Sequence, residues 1–364
     1  MGERVSKRNF PIGVKLALII GIIILISLST VTFLNSWFIS KDIRLTAEEN
    51  NLTINTRSAS TVQNEISSVR SNVLQLLDII NVAGHGKTSA IARQAEAFFF
   101  ERNSGIAEIY LLTKYPESPE LVVHTRLRNT RFFSSNEIDF DTGDSFLRQN
   151  NAVLERACRG ETNAINASPY FKTAMLALML PYTASGLDQC CLILFSLESI
   201  ADVLGTGSVN QSFMINSSDD LLCHPDQDKI LSGQSMKTYP LVKEMRQNNQ
   251  NNEESRQIVF NHTDENGKVQ KYIGAYQKIN IADICVLTTV PLDLILEGVR
   301  TTRRNNLYLM GIVLFVSIIF ILTFARYVIS RPLRRLTASA EEIQQGNFNT
   351  PLIGMLKGTS KNWF

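Results

Sequence analysis

Two stretches of this chain are apolar almost without interruption, and the long region between them is not. Leu16–Leu34 is uncharged and rich in isoleucine and leucine, and Leu307–Val328 carries no charge before Arg326. At about 1.5 Å per residue, each reaches across a hydrocarbon layer of roughly 30 Å. The pattern therefore predicts transmembrane helices at residues 16–34 and 307–328. Past the second block, Leu333, Leu336, Ala340 and Ile343 recur at spacings of three and four behind Arg331-Pro332, with Arg334 and Arg335 between them. This predicts an amphipathic, proline-broken helix that leaves the membrane and stops at Gly346.

The intervening region changes period several times. From Ile54, the apolar positions Val62, Ile66, Val69, Val73, Leu76 and Ile80 alternate by fours and threes among polar residues, which predicts one long helix with a narrow seam. That seam is expected to pack both on its own domain and on a second copy of the chain, using different lengths of it. A second helix is predicted over Ala90–Arg102. Strands are predicted at Ile106–Leu112, Leu121–His124, Ala164–Phe171, Met175–Tyr182 and Cys191–Leu197, with a helix at Ala152–Arg159 and a turn at Asp188. A smaller unit then repeats the idea. Ser212–Asn216 and Leu221–Pro225 flank a turn, Leu241–Arg246 forms a short helix, and Asn248–Glu254 is a polar loop. Ile258–Phe260 and Lys271–Tyr276 form a hairpin around Asp264–Gly267, and Ile284–Pro291 closes the sheet before a helix at Leu292–Arg304. The fold class is α+β, with a long helix beside a sheet.

Charge sets the topology. Arg4, Lys7, Arg8 and Lys15 precede the first block, and Arg326, Arg331, Arg334 and Arg335 close the second, so both ends are placed in the cytoplasm. Arg300, Arg303 and Arg304 lie on the opposite side and are outweighed. A signal peptide is the alternative for the first block, but the apolar run continues into Trp37-Phe38, which suit a membrane interface better than a cleavage site. Residues 36–304 are then extracytoplasmic. A net charge of +2 over 364 residues argues against nucleic acid as a partner.

Several chemistries find little support. Gly84-His85-Gly86-Lys87-Thr88 lacks the earlier glycine of a phosphate-binding loop, Asn81 standing there, and follows a helix rather than a strand. Ile138–Asp144 is acidic but lacks the alternating oxygen series of a calcium loop. The five cysteines, Cys158, Cys190, Cys191, Cys223 and Cys285, show no metal-ligand spacing. Outside the cytoplasm up to two disulfides are open to them, although buried, unpaired thiols are the expectation. His85, His124, His224 and His262 are scattered and form no nucleophile–base set, so no catalytic residue, metal or cofactor is assigned and the chain is not expected to be an enzyme. His224 is expected to serve a turn. An adhesion or structural protein would leave the arginine–proline helix unexplained.

The stretch Ser217-Ser218-Asp219-Asp220, Leu221-Leu222, His224-Pro225-Asp226-Gln227-Asp228-Lys229, with Tyr272–Tyr276 and Val290-Pro291-Leu292, resembles the membrane-proximal half of a double Cache (PAS-like) sensor domain. Arg331-Pro332-Leu333, Leu336, Ala340–Ile343 and Gly346-Asn347-Phe348 are similar to the first half of a HAMP linker. The resemblance implies a bacterial receptor in the inner membrane. Its parts are a cytoplasmic N-terminus (1–15), the first crossing (16–34), a sensor (36–304, distal unit about 50–205, proximal unit about 206–298), the second crossing (307–328), a partial HAMP linker (329–353) and an atypical tail (354–364). It implies a homodimer that senses an extracytoplasmic small molecule and signals through Pro332, Leu333, Leu336, Ala340 and Ile343. The output belonging to such a sensor is of adenylate or guanylate cyclase or chemoreceptor type, with a histidine kinase or a truncated non-catalytic membrane protein as alternatives. The sequence departs from the family's amino-acid-binding pattern, because no tryptophan follows Arg126, Arg128 and Arg131, and the tail lacks the second HAMP helix. The expected ligand-contacting residues are Tyr110, Arg126, Arg128 and Tyr170, which offer cationic and aromatic groups on sheet-like segments, and Asp188, which offers a partner for an amine.

Overall fold

The first apolar block and the polar seam form one continuous helix, α1 (Ile12–Val82). The computed structural model describes residues 12–82, 90–115, 117, 121–182, 188–205, 209–247, 255–263 and 267–344. The Gly84–Thr88 stretch, the Asn248–Glu254 loop, most of the Asp264–Gly267 turn, and residues 345–364 lie outside the described residues, as do the side chains of Leu333 and Ile343. The chain divides into two compact units, one of Met1–Asp42 with Glu297–Phe364 and the other of Ile43–Leu296.

In the larger unit, α1 is followed by α2 (Ala90–Arg102), β1 (Ile106–Lys114), β2 (Val122–Arg128), α3 (Thr130–Ser135), α4 (Thr142–Gln149), α5 (Asn151–Cys158), β3 (Asn163–Asn166), α6 (Ser168–Phe171), β4 (Met175–Tyr182) and β5 (Asp188–Ser196). Then come α7 (Glu198–Gly205), β6 (Gln211–Ile215), β7 (Leu221–Cys223), α8 (Gln227–Leu231), α9 (Pro240–Gln247), β8 (Arg256–Thr263), β9 (Val269–Lys278) and β10 (Cys285–Pro291). Among the described residues the strands form two antiparallel sheets, ordered β2-β1-β5-β4-β3 and β7-β6-β10-β9-β8. Counted from the first strand of each, both orders read 2-1-5-4-3. In both, the link from the second strand to the third carries the helices that cover a face: α3, α4 and α5 in the first sheet, α8 and α9 in the second. The chain thus repeats one PAS-like plan, the fold class expected from the sequence.

The apolar runs follow from burial on both sides. β1, β4 and β5 are buried along almost their whole length, so alternation gives way to near-continuous hydrophobicity. One face of the first sheet, including Ile109, Leu111, Leu178 and Ile193, shares a core with Val62, Ile66, Val73 and Leu76 of α1, and this core extends to Met214 and Val286 of the second sheet and to Ile284 just before β10. The opposite face, with Tyr110, Met179, Cys190 and Leu192, packs on Phe133 of α3, Phe146 of α4 and Leu154 of α5. Val62, Ile66 and Val73 are fully buried in their own domain. The seam expected to serve a second copy as well is used up at these positions by the chain's own core.

Two buried amides on α1 fix its register against the second sheet. Asn55 Nδ2 donates to the Val286 carbonyl (3.0 Å), the Thr288 hydroxyl (3.2 Å) and the Ala275 carbonyl (3.4 Å), and Asn55 Oδ1 accepts from the Ser255 hydroxyl at 2.6 Å. One turn earlier, Asn51 Nδ2 reaches the Thr288 carbonyl and Asn51 Oδ1 accepts from Asn210. An amide at this depth is stable only because each of its atoms has a partner.

Local readings changed in three places. Ser168–Phe171 is the short helix α6, not the end of a strand, because Pro169 sits in its first turn and Lys172 closes it in the left-handed region (φ 56°). Asp188 opens β5, in register with Lys114 of β1, rather than marking a turn. The strand at Leu121–His124 extends to Arg128 as β2.

In the smaller unit, the N-terminal part of α1 and α10 (Leu292–Phe324) hold segments long and apolar enough to cross a membrane, with mean hydropathies of 2.3 and 2.7. The Thr32 hydroxyl meets Met310 Sδ at 3.8 Å, which brings the two apolar segments into contact. Ala325–Ser330 widens into a π turn directly before α11 (Arg331–Gln344). Pro332 has no N–H for the Val328 carbonyl and its ring crowds that oxygen, and the wider turn absorbs the conflict. The proline therefore reshapes the helical path without breaking it. On α11, Leu336 and Ala340 are exposed.

Replacing Asn55 by Ala removes the amide that joins α1 to Val286, Thr288, Ala275 and Ser255 and strands those partners. We expect a loss of about 2–3 kcal/mol in denaturant unfolding. Thr61→Ala, which removes only an exposed bond to the helix's own Arg57 carbonyl, should stay within about 0.5 kcal/mol. Equal effects would contradict the role given to Asn55.

Candidate functional site

Register brings three of the expected residues together. In the β1–β2 pair, Glu108 stands opposite Arg128 and Tyr110 opposite Arg126. Side chains two apart on a strand share a face, so a carboxylate, a phenol and two guanidinium groups converge beneath α3 and α4. Arg126 Nε donates to Glu108 Oε1 at 2.6 Å and Arg128 Nε to the same oxygen at 2.7 Å. The Glu108 side chain is wholly buried, whereas Arg126 and Arg128 keep some contact with water.

The outer edges of the two guanidinium groups are capped by the segment that leads into α4. Arg128 Nη2 donates to the Phe140 carbonyl at 2.7 Å, Arg126 Nη2 donates to the same carbonyl at 3.3 Å, and Arg126 Nη1 pairs with Asp144 at 3.1 Å. Aromatic faces complete the cradle. Arg126 lies over Tyr110 at 5.1 Å, and Arg128 lies over Phe133 at 4.8 Å and Phe140 at 5.0 Å. Two cations thus face two carboxylates, and the cluster is formally neutral. Gly143 is needed at the closest approach, since a β-carbon there would collide with Tyr110 Oη and Glu108 Oε2. Neither of those buried atoms has a partner in hydrogen-bond geometry, although they interact electrostatically.

Burial is the largest influence on Glu108 and raises its pKa above the usual carboxylate range, with the hydrogen bond from Arg126 acting in the opposite direction. Burial and the neighbouring carboxylate push the Tyr110 phenol well above its ordinary value. The charges of the cluster are paired with one another. It has no activated nucleophile.

The remaining expected residues lie elsewhere. Tyr170 on α6 packs edge-on to Phe146 at 5.1 Å, and Asp188 is exposed at the start of β5. His224 accepts from the Asp226 backbone N–H at 2.9 Å through Nδ1, a turn-closing bond. Sequence reasoning missed Glu108, Asp144 and the Phe140 carbonyl. Glu108 had a readable signal, a lone carboxylate inside the apolar run Ile106–Leu112, ahead of the Arg126-x-Arg128 alternation in the next strand. A polar cavity of about 320 Å³ lies between β3 and the turn after β6, lined by Asn163, Asn166, Asn216 and Asp220 among others. Most of its amide groups are already committed to backbone partners.

No family model and no curated protein matches the chain. Among solved structures it is similar to the extracellular domain assigned to a histidine kinase, soHK1S-Z6, with 15% identity over 71% of this chain and 98% of that one and a TM-score of 0.47. It is also similar to the ligand-binding domain of the Campylobacter jejuni chemoreceptor Tlp3 in complex with 4-methylisoleucine, at 12% identity over 70% and 94% of the two chains and a TM-score of 0.43. The sensory domain of the same chemoreceptor with isoleucine bound gives 11%, 71%, 98% and 0.42. These neighbours are sensor domains. Identities this low carry no residue of theirs onto this chain, and the PAS-like fold stands on the strand order and covering helices described above.

Because its folded pKa is raised, Glu108 contributes stability that is complete below the unfolded carboxyl value of about 4.3 and is lost as pH rises through the folded value. Glu108→Gln has no such proton to lose. The downward contribution to the melting temperature with rising pH should be absent in the variant when both proteins are scanned upward from pH 4. Parallel profiles for the two proteins would contradict the assignment.

Proposed function

We propose that the chain is the sensing part of a transmembrane receptor, in which a small molecule bearing an anionic group binds at Arg126 and Arg128 in the distal sheet. The observation that carries this reading is the capped arginine pair. Glu108 holds the inner Nε edge of both side chains, and among the described residues the outer Nη groups meet the Phe140 carbonyl and Asp144. A ligand carboxylate would take those outer positions and displace the segment around Phe140–Asp144, while Glu108 keeps both guanidinium groups aimed.

The chain's plan supports a receptor rather than a free binding protein. Two sheets of one PAS-like order lie in sequence between two helices of membrane-crossing length and composition, and the second runs through a π turn into the basic amphipathic α11. On this reading the domain is extracytoplasmic, the chain is not itself an enzyme, and a homodimer passes the signal along Leu333, Leu336, Ala340 and Ile343 to a cytoplasmic output of cyclase or chemoreceptor type. Binding shifts such an equilibrium only by its differential affinity for the two states.

The test is a thermal-shift screen of the full chain in detergent against amino acids, organic acids, purines and polyamines. A ligand at about 100 times its dissociation constant stabilises the fold by roughly 2.7 kcal/mol. We expect a hit among the carboxylate-bearing compounds that is lost in Arg126→Ala and Arg128→Ala. Hits confined to polyamines, or hits unaffected in both variants, would overturn the assignment.

A further inference from the structure

Cys158, the last residue of α5, and Cys190 in β5 meet at the sheet face that carries the arginine cluster. Their sulfur atoms are 2.8 Å apart, both residues are buried, and Cys190 Sγ also faces the Leu154 carbonyl at 3.5 Å. Two thiols in this contact need only about 0.8 Å of further approach to reach the bond length of a disulfide.

The fold also places the other three cysteines in cores other than the one that holds this pair. Cys191 follows Cys190 in a strand, so it points to the opposite face of the sheet and belongs to the core shared with α1. Cys223 and Cys285 lie on β7 and β10 of the second sheet, in two different clusters.

We propose that Cys158 and Cys190 form a single intramolecular disulfide in the extracytoplasmic domain, which fastens the covering helix α5 to the sheet beneath it. Both S–H bonds are lost and one S–S bond forms. The two electrons and two protons pass to an external disulfide oxidant, which leaves as its dithiol. The two residues lie 32 apart in the chain, so the bond closes a loop long enough to restrict the unfolded state substantially.

The test uses the full chain produced in a bacterium with a disulfide-forming periplasm. Membranes are dissolved directly in denaturant with N-ethylmaleimide, and adducts are counted by intact mass. The expected result is three adducts without reductant and five after reduction. Cys191→Ser should show two without reductant, and Cys158→Ser should show four, since Cys190 is then released. Labelling takes place in denaturant, so a poorly folded variant is still counted. Five adducts on the unreduced parent chain would overturn the proposal, as would loss of the bond in Cys191→Ser. Reductant should also lower the melting temperature of the parent chain by on the order of 10 °C and leave that of Cys158→Ser unchanged.

Discussion

One face of a single helix is buried against two sheets, and the rest of the molecule depends on that burial. The residues that commit α1 are Val62, Ile66, Val73 and Leu76, all in the shared core, and the amides of Asn51 and Asn55, which bond to strands of the second sheet. Apolar burial supplies most of the attraction, at about 25 cal/mol per Å², and is tolerant of small slips along the helix. The amides are not tolerant. A shift of one residue would bury their polar atoms without partners, so the hydrophobic face holds the helix on the sheets while the amides choose its position. Any change in how either sheet meets α1 must break or preserve that register as a whole.

The opposite face of the first sheet has a different character. There a buried carboxylate organises two arginines, and the crossover helices close over them. Glu108 costs free energy to desolvate, and its two hydrogen-bonded cations offset that cost. The inner edge of the pair is held by Glu108, and its outer edge by a backbone carbonyl and a partly exposed aspartate. On the proposed reading, a ligand is selected by charge and by its ability to replace the Phe140–Asp144 contacts. The pair sits beneath α3 and α4, between β2 and the covering helices, at the part of the domain built from short elements. The proposed Cys158–Cys190 bond would hold the neighbouring helix α5 in place, so that any movement is confined to the segment that caps the arginines.

Much of this was legible in the sequence, for a physical reason in each case. The two apolar blocks, the α1 seam and the strands β4, β5, β9 and β10 follow from the periodicity of burial, and burial dominates the choice of residue there. Arg126 and Arg128 stood out as cationic groups on a sheet-like segment. Their partner did not. Glu108 sits in an apolar strand, and only the strand pairing, which is set by connections of many residues, places it opposite Arg128. The α6 helix was hidden because an apolar run of four or five residues is compatible with either period, and Pro169 decides it by fixing the first turn. The residues buried by the chain's own core do not bear on a second use of the seam, along other lengths of α1, against another chain. A four-three alternation says that a helix face is buried without saying by what. In the same way, five cysteines with no spacing signal left pairing open until the fold placed Cys190 and Cys191 on opposite faces.

The central claim is that occupation of the arginine pair displaces its cap. Hydrogen–deuterium exchange on the full chain, with and without a carboxylate ligand found by screening, tests it most directly. The account predicts slowed exchange in β2 and altered exchange across α3 and the Phe140–Asp144 segment, with the α1 backbone around Asn51 and Asn55 unchanged. Protection confined to the second sheet, or to the polar cavity beside Asn163, with β2 and α3 unaffected, would contradict it.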